Sequence, residues 1–177
     1  MFDTIRQHEI LRLIECHACR EENRNTIVEF DESLYLQKDF LNYDKVLILK
    51  PDDYYNSLKI AKRPPSVDCL ILINSDKLAY YELYLVELKD TNRKELVDYD
   101  EIVKKFETMI NEFFKQFIDI FGLENYEKIE FYLVTSYLTR KNRSIFLDVY
   151  TRKPALLLFG KRVHIIPKPS PFKITTC

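Results

Sequence analysis

Only two glycines occur in the 177 residues, Gly122 and Gly160. A loop that wraps a phosphate needs several positions without a Cβ close together, so P-loop and dinucleotide-binding architectures are excluded. No stretch approaches the roughly 18 uninterrupted apolar residues of a membrane-spanning helix. The opening Met1-Phe2-Asp3-Thr4-Ile5-Arg6 shows no basic leader followed by an apolar block, so no secretory signal is expected. Four cysteines (Cys16, Cys19, Cys69 and Cys177) do not make a disulfide framework in a chain of this length. Cys69 lies in an apolar run and is expected to be a small core residue. Cys16-His17-Ala18-Cys19 is a CxxC, yet no second CxxC or His pair follows at zinc spacing, and His8 lies one long helical reach away. Zinc or thiol chemistry is the weaker reading, and a coincidence on a helix surface the stronger.

What is present fits one globular domain spanning residues 1–177, cytoplasmic and outside any membrane. The chain is 46% hydrophobic and 31% charged, with a net charge of −1. That near-neutrality hides an asymmetry. From Leu138 to Cys177, Arg140, Lys141, Arg143, Arg152, Lys153, Lys161, Arg162, Lys168 and Lys173 face a single acid, Asp148. The segment carries +8 and the remainder −9. A basic quarter on a neutral protein suits a phosphate backbone as well as it suits ordinary solvated surface.

Periodicity predicts an opening helix over Asp3–Glu22 and a short strand at Thr26–Phe30. An ambiguous stretch to Tyr43 follows, then a clearer strand at Lys45–Leu49 that Pro51-Asp52-Asp53 ends. The best helix runs from about Lys94 to Phe121, with Tyr99, Ile102, Val103, Phe106, Ile110, Phe113, Phe114, Phe117 and Phe121 on one wide apolar face. That stripe reads as core packing, with Lys104 and Lys105 on the polar side and Gly122 as the C-cap. A strand at Ile129–Ser136 follows, and Ala155–Phe159 pairs with Val163–Ile166 about the Gly160-Lys161 turn. His164 reads as a strand residue, not a catalyst.

Two apolar runs carry charges that need an explanation. Val67-Asp68-Cys69-Leu70-Ile71-Leu72-Ile73 and Tyr84-Leu85-Val86-Glu87-Leu88-Lys89-Asp90 both read as buried strands. An unpaired carboxylate in such a strand costs several kcal/mol. Asn74-Ser75-Asp76-Lys77 supplies turn chemistry between them. If the turn centres between Lys77 and Leu78, the two runs form an antiparallel hairpin with Asp68 directly opposite Glu87. Cross-strand neighbours lie about 5 Å apart at Cβ, a separation that suits a shared metal ion. Glu87 and Lys89, two apart, point to one face.

Pro65-Ser66-Val67-Asp68 followed by Glu87-Leu88-Lys89 resembles the PD-(D/E)XK nuclease superfamily, which includes many restriction endonucleases and archaeal Holliday-junction resolvases. The resemblance covers mainly Pro64 to about Ser136 and includes the order hairpin, long helix, strand. Proline does not immediately precede Asp68, a departure common in that superfamily. The resemblance implies an α/β fold of restriction-endonuclease-like type, a mixed central β-sheet flanked by helices. It implies a Mg²⁺-dependent DNA endonuclease, with Mn²⁺ as a substitute, in which Asp68, Glu87 and the backbone carbonyl of Leu88 hold metal. Lys89 would orient the attacking water, and an acid from the opening helix, Glu9 ahead of Glu15, would complete the site.

The residue types suit that reaction independently. Phosphodiester hydrolysis needs a nucleophilic hydroxide, a Lewis acid and charge neutralisation, and Mg²⁺ prefers carboxylate oxygens. The expected partner is duplex or branched DNA, and a two-fold homodimer would place one centre on each strand. A type II restriction enzyme is the leading subclass, then a repair or junction-resolving nuclease. The competitor from another class is a catalytically inactive nuclease-fold protein for nucleic-acid binding or assembly. In that case Lys89 would simply neutralise Asp68 and Glu87 in a buried ion network.

Overall fold

Apolar runs rich in Val, Ile, Leu and aromatic residues become strands because such side chains pack well on a pleated, buried surface. A computed structural model of the chain describes residues 1–20, 26–37, 40–74, 80–91, 98–122, 125–139, 144, 147–148, 150 and 152–175. It opens with helix α1 (Phe2–Gln7), a 3-10 turn at Leu11–Ile14 and the edge strand β1 (Glu15–Cys16). The long opening helix expected from Asp3 is therefore broken. His8 leaves α1 in an extended conformation, and its Nδ1 accepts from the backbone N–H groups of Ile10 and Leu11. Glu21 and Glu22 lie outside the described residues.

Strand β2 (Val28–Phe30) precedes a 3-10 turn at Glu32–Leu34, then β3 (Tyr35–Gln37), β4 (Phe40–Leu41) and β5 (Val46–Leu49). Pro51 does end β5, but it also starts helix α2 (Pro51–Ser57) at the N-terminal position where a missing N–H costs nothing. Lys59, at φ 52°, turns the chain out of α2. Strands β6 (Cys69–Asn74) and β7 (Tyr80–Lys89) form the expected antiparallel pair. The turn residues 75–79 lie outside the described residues.

Helix α3 (Tyr99–Thr108) begins at Asp98, whose carboxylate accepts from the Asp100 and Glu101 N–H groups at 2.8 and 3.3 Å. The expected start near Lys94 also falls outside the described residues. One continuous helix to Phe121 is not formed. A π turn at Met109–Phe113 leads into α4 (Phe114–Gln116), and Phe117 (φ −113°, ψ 32°) separates it from α5 (Ile118–Phe121). Strand β8 (Asn125–Thr135) runs back across the sheet. After β8 come β9 (Leu156–Leu158), β10 (Lys161–Val163), β11 (Ile165–Pro169) and β12 (Phe172–Ile174). The expected terminal pair is formed only in part. β9 pairs with β10 about a tight turn at Phe159 (φ 48°) and Gly160 (φ 77°), one residue earlier than expected. Ile165 and Ile166 leave the hairpin to pair with β8 as part of β11.

Six strands make the central mixed sheet, in the order β1-β5-β6-β7-β8-β11. β1, β5, β6 and β7 are antiparallel neighbours, while β8 runs parallel to β7 and β11 parallel to β8. The β7–α3–β8 segment is the crossover that parallel neighbours require. The molecule is thus α/β, with a mixed sheet and helices.

Alternation along the strands splits the core into two layers. Leu49, Leu70, Leu85, Phe131 and Leu133 face Phe106, Met109, Phe113 and Phe121 of the helical layer. Ile48, Ile71, Val86 and Val134 point to the other layer, which Phe30, Leu34, Leu41 and Ile174 cover. In the helical layer Tyr54 of α2 packs edge-on against Phe113 and Phe117, at centroid separations of 5.5 and 5.4 Å. This contact ties α2 to the helices beside the charged strand ends.

Candidate active site

Register places the two acids. Cys69 pairs with Val86, so the next position outward on each strand sets Asp68 opposite Glu87, as the turn arithmetic permits. Asp68 has the parity of Leu70 and Glu87 that of Leu85, so both carboxylates face the helical layer. The Leu88 backbone N–H donates to Asp68 Oδ2 at 2.7 Å and fastens the two strand ends together. A strand residue directs its N–H and C=O to the same side, so the Leu88 carbonyl also leaves β7 toward Asp68. The Leu88 side chain packs in the opposite layer.

Burial shapes the electrostatics. Glu87 is fully buried, and its Oε2 has no hydrogen-bond partner among the described residues. Burial first, and then the neighbouring Asp68 charge, pushes the Glu87 carboxyl well above its ordinary value. Burial raises Asp68 as well, against the Leu88 N–H and the charge of Lys105, both of which favour its ionised form. The two carboxyls lie close enough for one, once protonated, to hydrogen-bond the other.

The cation that meets them is Lys105, not Lys89. Lys105 Nζ of α3 sits 2.7 Å from Glu87 Oε1. Burial alone would lower this ammonium, yet the Glu87 and Asp68 carboxylates hold it above its ordinary value. Lys89 shares the face of Glu87 but turns to Glu101 Oε1, at 3.4 Å. Glu101 and Lys105 stand one helical turn apart, so the two strand residues and the two helix residues pair crosswise. The sequence pattern put Lys105 on a solvated helix face. What separates it from Lys104 is its place beside the Ile102–Phe106 stripe that packs on β7, and that was the available signal.

The acid from the opening helix is not delivered. Glu9 is exposed in the turn after α1 and makes no hydrogen bond or ion pair with a described residue. Glu15 lies on β1, where Arg6 holds it at 3.3 Å. The early end of that helix, which places Glu9 in a turn, is the physical reason. The third acid is instead Asp52 of α2, which accepts from Ser66 Oγ and whose charge acts on both Asp68 and Lys105. Two sequence signals marked it: Pro51 as a helix start, and Ser66 two residues before Asp68.

These residues fit a hard divalent cation in donor type. Asp68, Glu87 and the Leu88 carbonyl are oxygen donors, and the unpartnered Glu87 Oε2 is a buried atom that calls for a proton or a cation. Among the described residues no group of three or more His, Cys, Asp or Glu side chains is gathered to hold a metal ion.

Directly behind Asp68, Cys69 is disulfide-bonded to Cys19. Cys69 is buried as expected, but as half of a cross-link joining β6 to the segment after β1, so Cys19 does not pair with Cys16 as a zinc or redox CxxC. Several basic residues near the C-terminus have partners within the chain. Arg152 pairs with Asp148 at 2.9 Å and Lys173 with Asp31 at 3.7 Å. Lys153 lies over the Tyr99 ring at 4.5 Å and Lys168 over Tyr132 at 5.0 Å. Arg140, Lys141 and Arg143 lie outside the described residues.

No family model, curated protein or solved structure matches this chain. No helix among the described residues is long and apolar enough to cross a membrane.

Proposed function

We propose that the chain is a Mg²⁺-dependent DNA endonuclease of the restriction-endonuclease-like type. One observation carries the reading. Two carboxyls, Asp68 and Glu87, lie side by side on one face of the sheet, and while both are ionised one oxygen of the buried Glu87 has no hydrogen-bond partner among the described residues. A buried acid pair that one lysine only half neutralises is expensive, and apolar side chains of similar volume would usually be as stable. Its presence is therefore best explained by chemistry.

Asp68, Glu87 and the Leu88 carbonyl would hold Mg²⁺, with Mn²⁺ as substitute. When bound, the ion supplies Lewis-acid neutralisation of the phosphodiester and a more acidic water. Lys89, held among the described residues by the exposed Glu101 at 3.4 Å, would leave that partner and orient the attacking water. Lys105 fixes the Glu87 carboxylate in place and balances its charge until substrate and cation arrive. Asp52, tied to Ser66, adds negative potential on the cation side. A two-fold dimer would bring one such centre to each strand of a duplex, and a type II restriction enzyme remains the leading subclass ahead of repair or junction resolution. A cytoplasmic location belongs to the same proposal. The Cys19–Cys69 bond weighs against it, because disulfides persist mainly in oxidising compartments, with hyperthermophile proteins the exception.

The Lys105–Glu87 pair favours one second reading, an inactive nuclease-fold protein that binds nucleic acid, since it closes the acid pair without metal. Incubating purified protein with mixed-sequence single-stranded, duplex and branched DNA in Mg²⁺ or Mn²⁺ decides between them. The nuclease reading expects cleavage that Lys89→Ala removes while the fold survives. No cleavage of any substrate would put the binding reading first.

A further inference from the structure

Two adjoining cavities open beside the acid pair. The larger, about 470 Å³, is lined by Lys62, Arg63, Ser66 and Lys105 together with Asp52 and Asn56. The smaller, about 340 Å³, has Tyr54, Leu58 and Ile60 in its walls. Tyr55 and Pro64 line both. The first is mainly polar, with three cations and Asp52; the second sets its apolar walls beside Glu112, Lys115 and Gln116.

We propose that this double cavity is a nucleotide subsite, taking the unpaired nucleotide next to the scissile phosphodiester. Its phosphate would meet Lys62 and Arg63, and its base would lie against Tyr54, Leu58 and Ile60. The inference rests on the nuclease reading for the identity of the neighbouring bond.

Three observations carry it. Lys62 and Arg63 are exposed and make no hydrogen bond or ion pair with a described residue, so two cations stand without such partners at the mouth of an otherwise acidic site. Tyr55 is only 3% exposed, and its hydroxyl is buried with no hydrogen-bond partner among the described residues. A buried donor left unsatisfied calls for an acceptor that the described residues do not supply. Burial keeps this phenol protonated, raised far above its ordinary value, so it is a donor throughout the physiological range. Leu58 and Ile60 are 40% and 43% exposed, large apolar side chains that line the smaller cavity together with Tyr54. Apolar and aromatic walls accept a base without reading its edge.

The size argues for a nucleotide over a bare anion. Cavities of roughly 300–1,000 Å³ enclose ligands of small-molecule size, whereas phosphate alone would leave most of this space unfilled. A nucleotide entering it must be unpaired, because its base has left the duplex stack. Lys105 joins the two regions, lining the cavity while its ammonium contacts Glu87. The phosphate held there would therefore lie within one side chain of the acid pair.

The test is calorimetric titration in EDTA with thymidine 5′-monophosphate, thymidine and inorganic phosphate, alongside single-strand cleavage kinetics in Mg²⁺. The monophosphate is expected to bind at least tenfold more tightly than either fragment. The exposed double variant K62A/R63A, which removes no buried group, should weaken it tenfold or more, and Tyr55→Phe severalfold. The double variant should also raise KM for a single strand while kcat holds. Equal binding of phosphate and monophosphate, or binding unchanged in K62A/R63A, overturns the subsite. If the protein cleaves DNA but shows this indifference, the subsite fails and the nuclease stands. If the monophosphate binds through Arg63 and Tyr55 but no DNA is cut, the cavity binds nucleotide and the nuclease reading fails.

Discussion

Lys105 Nζ and Glu87 Oε1 are 2.7 Å apart, and Glu87 is fully buried. This contact joins α3 to the end of β7 and supplies a full positive charge against two neighbouring acids. Lys89 makes a longer, more exposed contact one helical turn away, with Glu101 Oε1 at 3.4 Å. The two lysines therefore differ in what their loss should do.

Lys105→Ala leaves a buried carboxylate uncompensated, a change that costs roughly 3–5 kcal/mol. Lys89→Ala removes a partly exposed pair, worth about 0–1 kcal/mol, and should lower kcat roughly 10²–10⁴-fold, as loss of a proton-handling group does. Urea unfolding and single-turnover cleavage of both variants separate the roles. Equal loss of stability in the two would contradict the assignment.

The acid pair should also govern how stability depends on pH. In the folded chain Glu87 holds its proton well above the ordinary value of 4.5, and Asp68 is raised as well. Over that window the native state binds more protons than the unfolded chain, so stability falls as pH rises from the unfolded value toward the raised ones. Glu87→Gln cannot titrate and should flatten this slope. Urea midpoints measured between about pH 4 and 8 test it; a variant as steep as the parent protein would place the effect elsewhere.

Divalent metal is expected to oppose that acid repulsion. At a free Mn²⁺ concentration near 100 times its Kd, stabilisation of about 2.7 kcal/mol follows from mass action. Asp68→Asn removes one anionic ligand and should abolish the rise in Tm with Mn²⁺. Thermal unfolding across a metal series gives the answer, and an Asp68→Asn variant that responds like the parent would remove Asp68 from the metal site.

Cys19–Cys69 closes a loop of sequence separation 50, directly behind Asp68. Chain-entropy arguments give such a cross-link up to about 4 kcal/mol. Reductant should lower the Tm of the parent protein and leave Cys69→Ala unaffected. Identical melting with and without reductant would show that the bond does not form in solution.

Much of this was legible along the chain. The Asp68–Glu87 pairing was compatible with residue parity and the place of the polar turn cluster, and the strand period of two put both acids on one face once the apolar face was chosen. A hairpin near Gly160 was legible because a two-residue turn needs positive φ, but its register was not: the second strand is Lys161–Val163, and Ile165–Ile166 join the central sheet. Other features were hidden for identifiable reasons. The opening helix stops at Gln7 because His8 satisfies the next N–H groups with its ring, a local bond that periodicity does not register. The break at Phe117 keeps the aromatic side chains in one cluster around Tyr54, a packing decision that no propensity encodes.

Local order alone determined which strands would carry charge, which face they would turn inward, and that two carboxyls would meet near one sheet end. Spacing along one chain contains that information, because side-chain direction is set by backbone geometry. Tertiary packing decided the rest: which lysine reaches Glu87, which acid joins from outside the hairpin, and which cysteine bonds Cys69. Those choices depend on how α2, α3 and the segment after β1 settle against the sheet. They are contacts between residues 18, 16 and 50 positions apart, whose distances are fixed only when the core closes.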